Sequence, residues 1–254
     1  MIKFFRHIRQ RMLKENRFSR YFIYAIGEIV LVVIGILIAL QINTWNEGRK
    51  VGKQEVLYLE RLIVENQSDL ETFSNAIEKI VKGNESIVAM SESMKDANTS
   101  DSSLIKSVND FLAFGSIYPV FSSSRSTFED LSSTGNLQVI RNTKLREDIV
   151  KHYAHHEQTD KWIRVAMDWA LPLDAPFTVD NDVMAFEPHT AFLYPERSVA
   201  KQAEELRANS LSYISNSAAH LWINLDAITQ MKDLTERTKI LISELETELN
   251  IRKN

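Results

Sequence analysis

The sequence predicts an all-α protein, with an N-terminal transmembrane helix followed by an elongated extracytoplasmic helical bundle. Three observations carry that prediction. An apolar run from Phe22 to Ile42 contains a single carboxylate, Glu28, and is long enough to cross a bilayer. From Val56 onward apolar residues recur at alternating steps of three and four, the spacing of a helix that packs along its length. Seven glycines and five prolines in 254 residues leave few breaks, and the absence of cysteine excludes a disulfide-stapled fold.

The chain divides into a basic cytoplasmic tail (1–20), a span (21–43) and an extracytoplasmic bundle (44–254). Phe22 to Leu40 is 19 residues, roughly 28 Å at helical rise against a hydrocarbon layer of about 30 Å. Lys3, Arg6, Arg9, Arg11, Lys14, Arg17 and Arg20 precede the run against Glu15 alone, whereas Arg49 and Lys50 follow it. The positive-inside rule therefore places the amino terminus in the cytoplasm. Tyr21, Phe22 and Tyr24 at one end and Trp45 at the other match interfacial ring positions. A cleaved signal peptide shares the basic start, but its apolar core is about 7–15 residues, and the exit IALQINTW lacks the small-x-small cleavage pattern. The tail also places Phe5, Ile8 and Met12 on one helical face; it reads either as a helix lying on an anionic leaflet or simply as an orientation signal.

Charge separates the two sides. Once the tail and span are set apart, the 30 Lys+Arg and 34 Asp+Glu of the whole chain leave 23 basic and 32 acidic residues beyond the span, a net charge of −9. Such a domain repels nucleic acid, and no basic aromatic stripe offsets that.

The first long helix covers about 46–95, with Val56, Leu59, Ile63, Asn66, Leu70, Phe73, Ile77, Ile80, Asn84, Ile87, Ser91 and Met94 on its seam. Continued from the span, it projects roughly 70 Å outward. Asn66, Asn84 and Ser91 either fix register and oligomeric state, as polar seam residues do in coiled coils, or mark where the seam meets solvent. DANTSDSS at 96–103 is a turn, and a short amphipathic helix follows at about 104–114. Ser126 and Glu129 have capping-box spacing before a short helix at about 126–134, which Gly135 stops. A long helix over about 143–170 carries Leu145, Ile149, Tyr153, Ile163 and Met167 inward and ends before Pro172. The last helix, about 198–250, keeps Leu211, Ile214, Ala218, Leu221, Leu225 and Ile228 in step, slips beyond Met231, and resumes with Leu234, Leu241, Leu245 and Leu249.

The stretches GEIVLVVIGILIALQINTWNE at 27–47, with the basic MIKFFRHIRQRM before it, and STFEDLSSTGNLQVIRNTKLREDIVKHY at 126–153 resemble a family of bacterial single-pass membrane proteins classed as a domain of unknown function. The resemblance implies a cell-envelope protein and assigns no activity, cofactor or catalytic residue.

Candidate sites follow from the residues themselves. Glu28, Gly35 and Ala39 lie within about 20° of one helical stripe, about 9 Å into the span at Glu28. Small residues admit a second helix and an intramembrane acid seeks a partner, so the stripe is a candidate intramembrane contact, with a membrane protein or a second copy. His152, His156 and Asp160 recur at steps of four and could offer two imidazoles and a carboxylate to a metal, although no HExxH motif accompanies them. Residues 171–197 hold four prolines with Phe177, Phe186, Phe192 and Tyr194; a connection of that length inside a bundle is a candidate for partner recognition. The polar run SRSTFEDLSSTGN contains no nucleophile elbow or phosphate loop and reads as caps and turns.

The favoured reading is a non-enzymatic inner-membrane protein whose periplasmic bundle senses or scaffolds alongside a membrane complex, with no cofactor. The alternative is a metal-dependent enzyme or metal-binding protein centred on His152 and His156.

Overall fold

The computed structural model describes residues 18–253. The basic segment 1–17, its orienting charges and its apolar face lie outside the described residues, as do the side chains of Arg20, Tyr21 and Tyr24. Among the described residues there are six α-helices and no strand. They are α1 (Phe18–Lys95), α2 (Asp101–Asp110), α3 (Ser126–Ser133), α4 (Thr143–Asp180), α5 (Val199–Ala208) and α6 (Ser210–Lys253). A π-helical turn, Phe111–Gly115, extends α2, and single 3-10 turns lie at Asn136–Val139, Val183–Ala185 and Ala191–Leu193. The chain forms two units, Met1–Glu55 and Val56–Asn254.

The described part of the first unit, residues 18–55, is helix, and its apolar run has no covering layer among the described residues. Large apolar side chains from Ile29 to Leu40 are 46–73% exposed. One helix among the described residues is long and apolar enough to cross a membrane, and none of its apolar window is buried. Phe22 and Trp45, at the two ends of the run, are also exposed.

The second unit is built around the seam of α1. Leu59, Leu62 and Ile63 pack with Leu131, Ile140, Leu145, Ile149, Tyr153, Leu241 and Leu245. Further along, Ile80 meets Ile163, Ala227 and Met231. Ile87 and Met90 then join Leu104, Phe111, Phe186, Leu206 and Tyr213 in a third cluster. The order of these contacts along each helix makes α4 run parallel to α1 and α6 antiparallel to it. Asn66 is fully buried on the seam, whereas Asn84 and Ser91 are half-buried.

Helix starts are set by side chains that accept the free N–H groups of the first turn. Ser100 accepts from Ser103 N–H, Asn142 from Leu145 N–H and Ser198 from Lys201 N–H. The start of α3 departs from the expected capping box, since its N-cap residue, Arg125, makes no side-chain cap bond. Glu65 of α1 supplies the cap instead, accepting from Thr127 N–H at 3.2 Å, Thr127 Oγ1 at 2.7 Å and Ser126 Oγ at 2.5 Å. The stop at Gly135 is left-handed, with φ of +72°.

Two boundaries differ from those the sequence suggests. Helix α4 passes through Pro172 and Pro176 to Asp180. Each proline removes one helical N–H, but both are exposed, and the last turns are held by tertiary contacts of Asp174 and Phe177. The C-terminal segment is two helices, broken at Asn209. The inner face of α6 is also displaced by one or two residues from the expected leucine set: Leu211 and Leu225 are exposed, and Tyr213, Ser217, His220 and Asn224 face inward.

The π turn sits against α1 because two glycines allow it. A Cβ at Gly83 would lie 2.7 Å from the Phe114 carbonyl oxygen, and one at Gly115 would lie 2.7 Å from Phe111 Cδ2 and Ser86 Oγ. We expect Gly83→Ala to destabilise the unit by roughly 1–3 kcal/mol through overpacking against backbone. A thermal melt of the full chain followed by circular dichroism measures this, and an unchanged midpoint contradicts the close approach.

Candidate functional site

Three regions collect chemistry: a buried imidazole pair, a clamped tyrosine beside an open groove, and a surface tryptophan patch. The first grows from the seam. On α1, Asn66 Nδ2 donates to the Leu62 carbonyl at 2.8 Å and to Tyr153 Oη at 3.2 Å, which fixes its amide and turns Oδ1 toward α4. His152 Nε2 donates to that oxygen at 2.9 Å and lies 2.8 Å from His156 Nε2. His156 therefore carries its proton on Nδ1, a buried atom with no hydrogen-bond partner among the described residues. Phe73 and Phe121, stacked on one another, both meet the His156 imidazole in T-shaped contacts.

Burial dominates the titration of this layer. It lowers His152 to about 4 and His156 to about 3, with nearby His155 and Arg237 adding to the first shift and His152 and Arg125 to the second. Asp69, one turn along α1, is raised to about 6 by burial, although the Ser124 N–H donates to Oδ1 at 2.7 Å. Its Oδ2 has no hydrogen bond among the described residues.

The histidine stripe is thus divided. His152 meets both His156 and Asn66, whereas Asp160 accepts from Arg164 Nε at 2.8 Å on the outer face. Among the described residues no group of three or more His, Asp or Glu side chains is gathered around a metal-sized position. Two neutral imidazoles in a hydrogen-bonded, T-shaped pair have a structural chemistry: His152 satisfies Asn66 Oδ1 and so ties the register of α1 to α4, and His156 accepts from His152.

The connection after α4 is divided in the same way. Phe186 is buried, Phe177 packs edge-on against Tyr213 at 5.0 Å, and Tyr194 lies against the same cluster. Phe192 alone of the four stands clear, at 79% exposed. In the first unit Glu28 is half-buried, Gly35 and Ala39 are exposed, and a Cβ at Gly35 would meet nothing within 4 Å.

Sequence reasoning did not find the second region. Asp174, on the last turns of α4, accepts from Tyr118 Oη at 2.5 Å and from Asn216 Nδ2 at 2.7 Å, and its Oδ1 is 3.1 Å from His220 Nε2. This carboxylate ties three segments together and fixes Tyr118, whose hydroxyl is held well above the ordinary phenol range by burial and by that hydrogen bond. Tyr118 is one wall residue of a groove of about 720 Å³ between α1 and the segment 113–122. The only local signals were the two glycines that let the π turn meet α1.

The third region is Trp162 and Trp169 on α4 with Trp222 on α6, all more than half exposed. Trp169 and Trp222 meet edge to face at 5.5 Å, and Trp162 Nε1 donates to Asp226. Their spacing along α4 was visible, but α6 had to be placed before the pair could be seen.

The imidazole layer fixes a pH response. Unfolded histidine titrates at 6.5, and the folded pair only at about 4 and about 3. Stability is therefore complete above neutral pH and falls as pH drops from 6.5 toward 4. Asp69 acts oppositely: folded at about 6 against 3.8 unfolded, it relieves the burden of its buried charge as pH falls through that window. Between pH 7 and pH 5 we expect a loss of about 2 kcal/mol per imidazole, offset by roughly 1 kcal/mol from Asp69. In Asp69→Asn the offset is absent and the loss is larger. Denaturant unfolding of both proteins at the two pH values checks this; equal stability at both contradicts the buried neutral pair.

No curated protein and no solved structure matches the chain. One family does match, described as a family of unknown function (DUF6090), over residues 28–159. That stretch contains most of the uncovered apolar run, the polar seam of α1, the segment beside the groove, and His152 and His156. Because it covers more than half of the 254 residues, the chain belongs to the DUF6090 family of unknown function.

Proposed function

We propose that this chain is a non-enzymatic, single-pass membrane protein of the bacterial cell envelope. Its first unit is an uncleaved signal anchor, its amino terminus is cytoplasmic, and its helical unit faces the periplasm, where it senses or scaffolds beside a membrane-protein partner. The observation that carries this reading is the contrast between units. Apolar side chains between Ile29 and Leu40 are about half or more exposed, whereas Leu59, Leu62, Phe73 and Met90 on the same helix are at most 1% exposed. Leaving that many apolar side chains in water opposes solubility, and lipid removes the difficulty.

The neutral, hydrogen-bonded state of His152 and His156 supports a structural rather than a catalytic role for the pair. Glu28, Gly35 and Ala39 form the intramembrane contact in this reading: Gly35 leaves room for a second helix, and the Glu28 carboxyl gives that contact specificity.

Two experiments test the proposal. The chain has no cysteine, so a single Ser243→Cys substitution on the exposed side of α6 reports its own compartment. We expect a membrane-impermeant maleimide to label it in spheroplasts without lysis; labelling only after lysis contradicts the orientation. For the contact, intramembrane association should fall at least several-fold in Glu28→Leu and Gly35→Leu, and unchanged association in both removes it.

A further inference from the structure

We propose that the groove between α1 and the segment 113–122 binds a free long-chain fatty acid, with its carboxylate on Lys79 and Lys82 and its chain along Phe114, Ile117 and Val120. This goes beyond the anchoring reading and does not depend on which compartment the unit occupies.

The groove has the size and the walls for such a ligand. Its volume of about 720 Å³ falls within the roughly 300–1,000 Å³ typical of small-molecule sites. Phe114, Ile117 and Val120 are 40%, 58% and 71% exposed on its outer wall, and Ile80 forms part of the α1 side. Single exposed apolar residues are ordinary, but three of them facing one concavity form a surface that an alkyl chain can cover.

Charge selects the head group. The only charged residues lining the groove are Lys79 and Lys82. Neither forms an ion pair among the described residues, and Lys82 Nζ sits 3.8 Å from the centre of the Phe114 ring. Residues 44–254 carry a net charge of −9, so an all-cationic lining is a local reversal of sign that favours an anion. The apolar wall argues against a sugar phosphate or nucleotide, whose hydroxyls would lose their water partners there. A single-chain carboxylate presents one anionic end and an apolar body, which the two surfaces match.

The walls are also preorganised. Gly83 and Gly115 let the π turn touch α1, and π turns of this kind recur at functional sites. Phe121 stacks on Phe73 at 5.6 Å, and Asp174 holds Tyr118. A groove that is already shaped loses less on binding than one that must be ordered first.

The test uses the full chain in phosphatidylcholine nanodiscs and a palmitate analogue carrying a mid-chain diazirine. On irradiation, we expect label on the peptide spanning 113–122, displaced by excess palmitate and not by cetyltrimethylammonium. Lys79→Glu with Lys82→Glu should reduce that labelling at least tenfold with unchanged circular dichroism, and the double arginine variant should retain it. Val120→Glu, at an exposed wall position, gives a second variant that should also lose labelling. The proposal is overturned by label confined to residues 22–42, by equal labelling of the charge-reversed protein, by equal displacement with the cationic amphiphile, or by displacement with phosphatidylglycerol alone. None of these outcomes alters the maleimide result, so failure here and failure of the anchoring reading are distinguishable.

Discussion

The inner face of α1 between Leu59 and Met90 is the constraint on which the second unit depends. Each of the three core clusters contains residues from this face and residues from α6. The shorter elements attach to the same helix by specific devices: Glu65 caps α3, Asp69 accepts the Ser124 N–H, and Gly83 admits the π turn. A bundle of this kind gains its stability from continuous apolar burial along one axis. The irregular segment 116–125 follows that axis because its side chains and backbone are bonded to α1 and α4.

The polar residues on the axis act differently from the apolar ones. Asn66 is satisfied by Leu62 within α1 and by Tyr153 and His152 on α4, and a one-residue slip of α4 would leave its Oδ1 and one amide N–H without those two partners in the core. Buried polar groups without partners cost more than partnered ones gain, so such a network penalises alternative registers more than it strengthens the native one. The His156 Nδ1 and Asp69 Oδ2 atoms lack hydrogen bonds among the described residues, which leaves the layer near Phe73 weaker than the apolar clusters on either side. The same layer governs the response of the fold to acid.

How much of this was legible depended on where the apolar residues lie. The seam of α1 and the inner face of α4 could be read because leucine, isoleucine and phenylalanine mark them at helical spacing, and Leu59, Phe73, Ile149 and Ile163 are buried as that spacing requires. The first half of α6 was misread for the opposite reason. Its core positions are Tyr213, Ser217, His220 and Asn224, which hydropathy assigns to solvent, while Leu211 and Leu225 are left outside. Prolines misled at the end of α4, where contacts of Asp174 and Phe177 outweigh the loss of helical hydrogen bonds. The Ser126 and Glu129 capping signature was real as a boundary but wrong in its partner, because the accepting carboxylate comes from a residue 61 positions earlier.

The tyrosine clamp beside the groove was not legible. Asp174 and His220 are 46 residues apart, and Tyr118 lies 56 residues before Asp174; no local pattern joins them. By contrast His152 and His156 on α4 were conspicuous in sequence, and the structure places them in the core as hydrogen-bonding groups. The central claim is that the face of α1 from Leu59 to Met90 is the axis of the folded unit. Native-state hydrogen exchange tests it most directly. Amides of 59–90 and of 213–245 should exchange last, together, and with the free energy of global unfolding. Protection that persists in α3 or α5 after α1 has exchanged would contradict it.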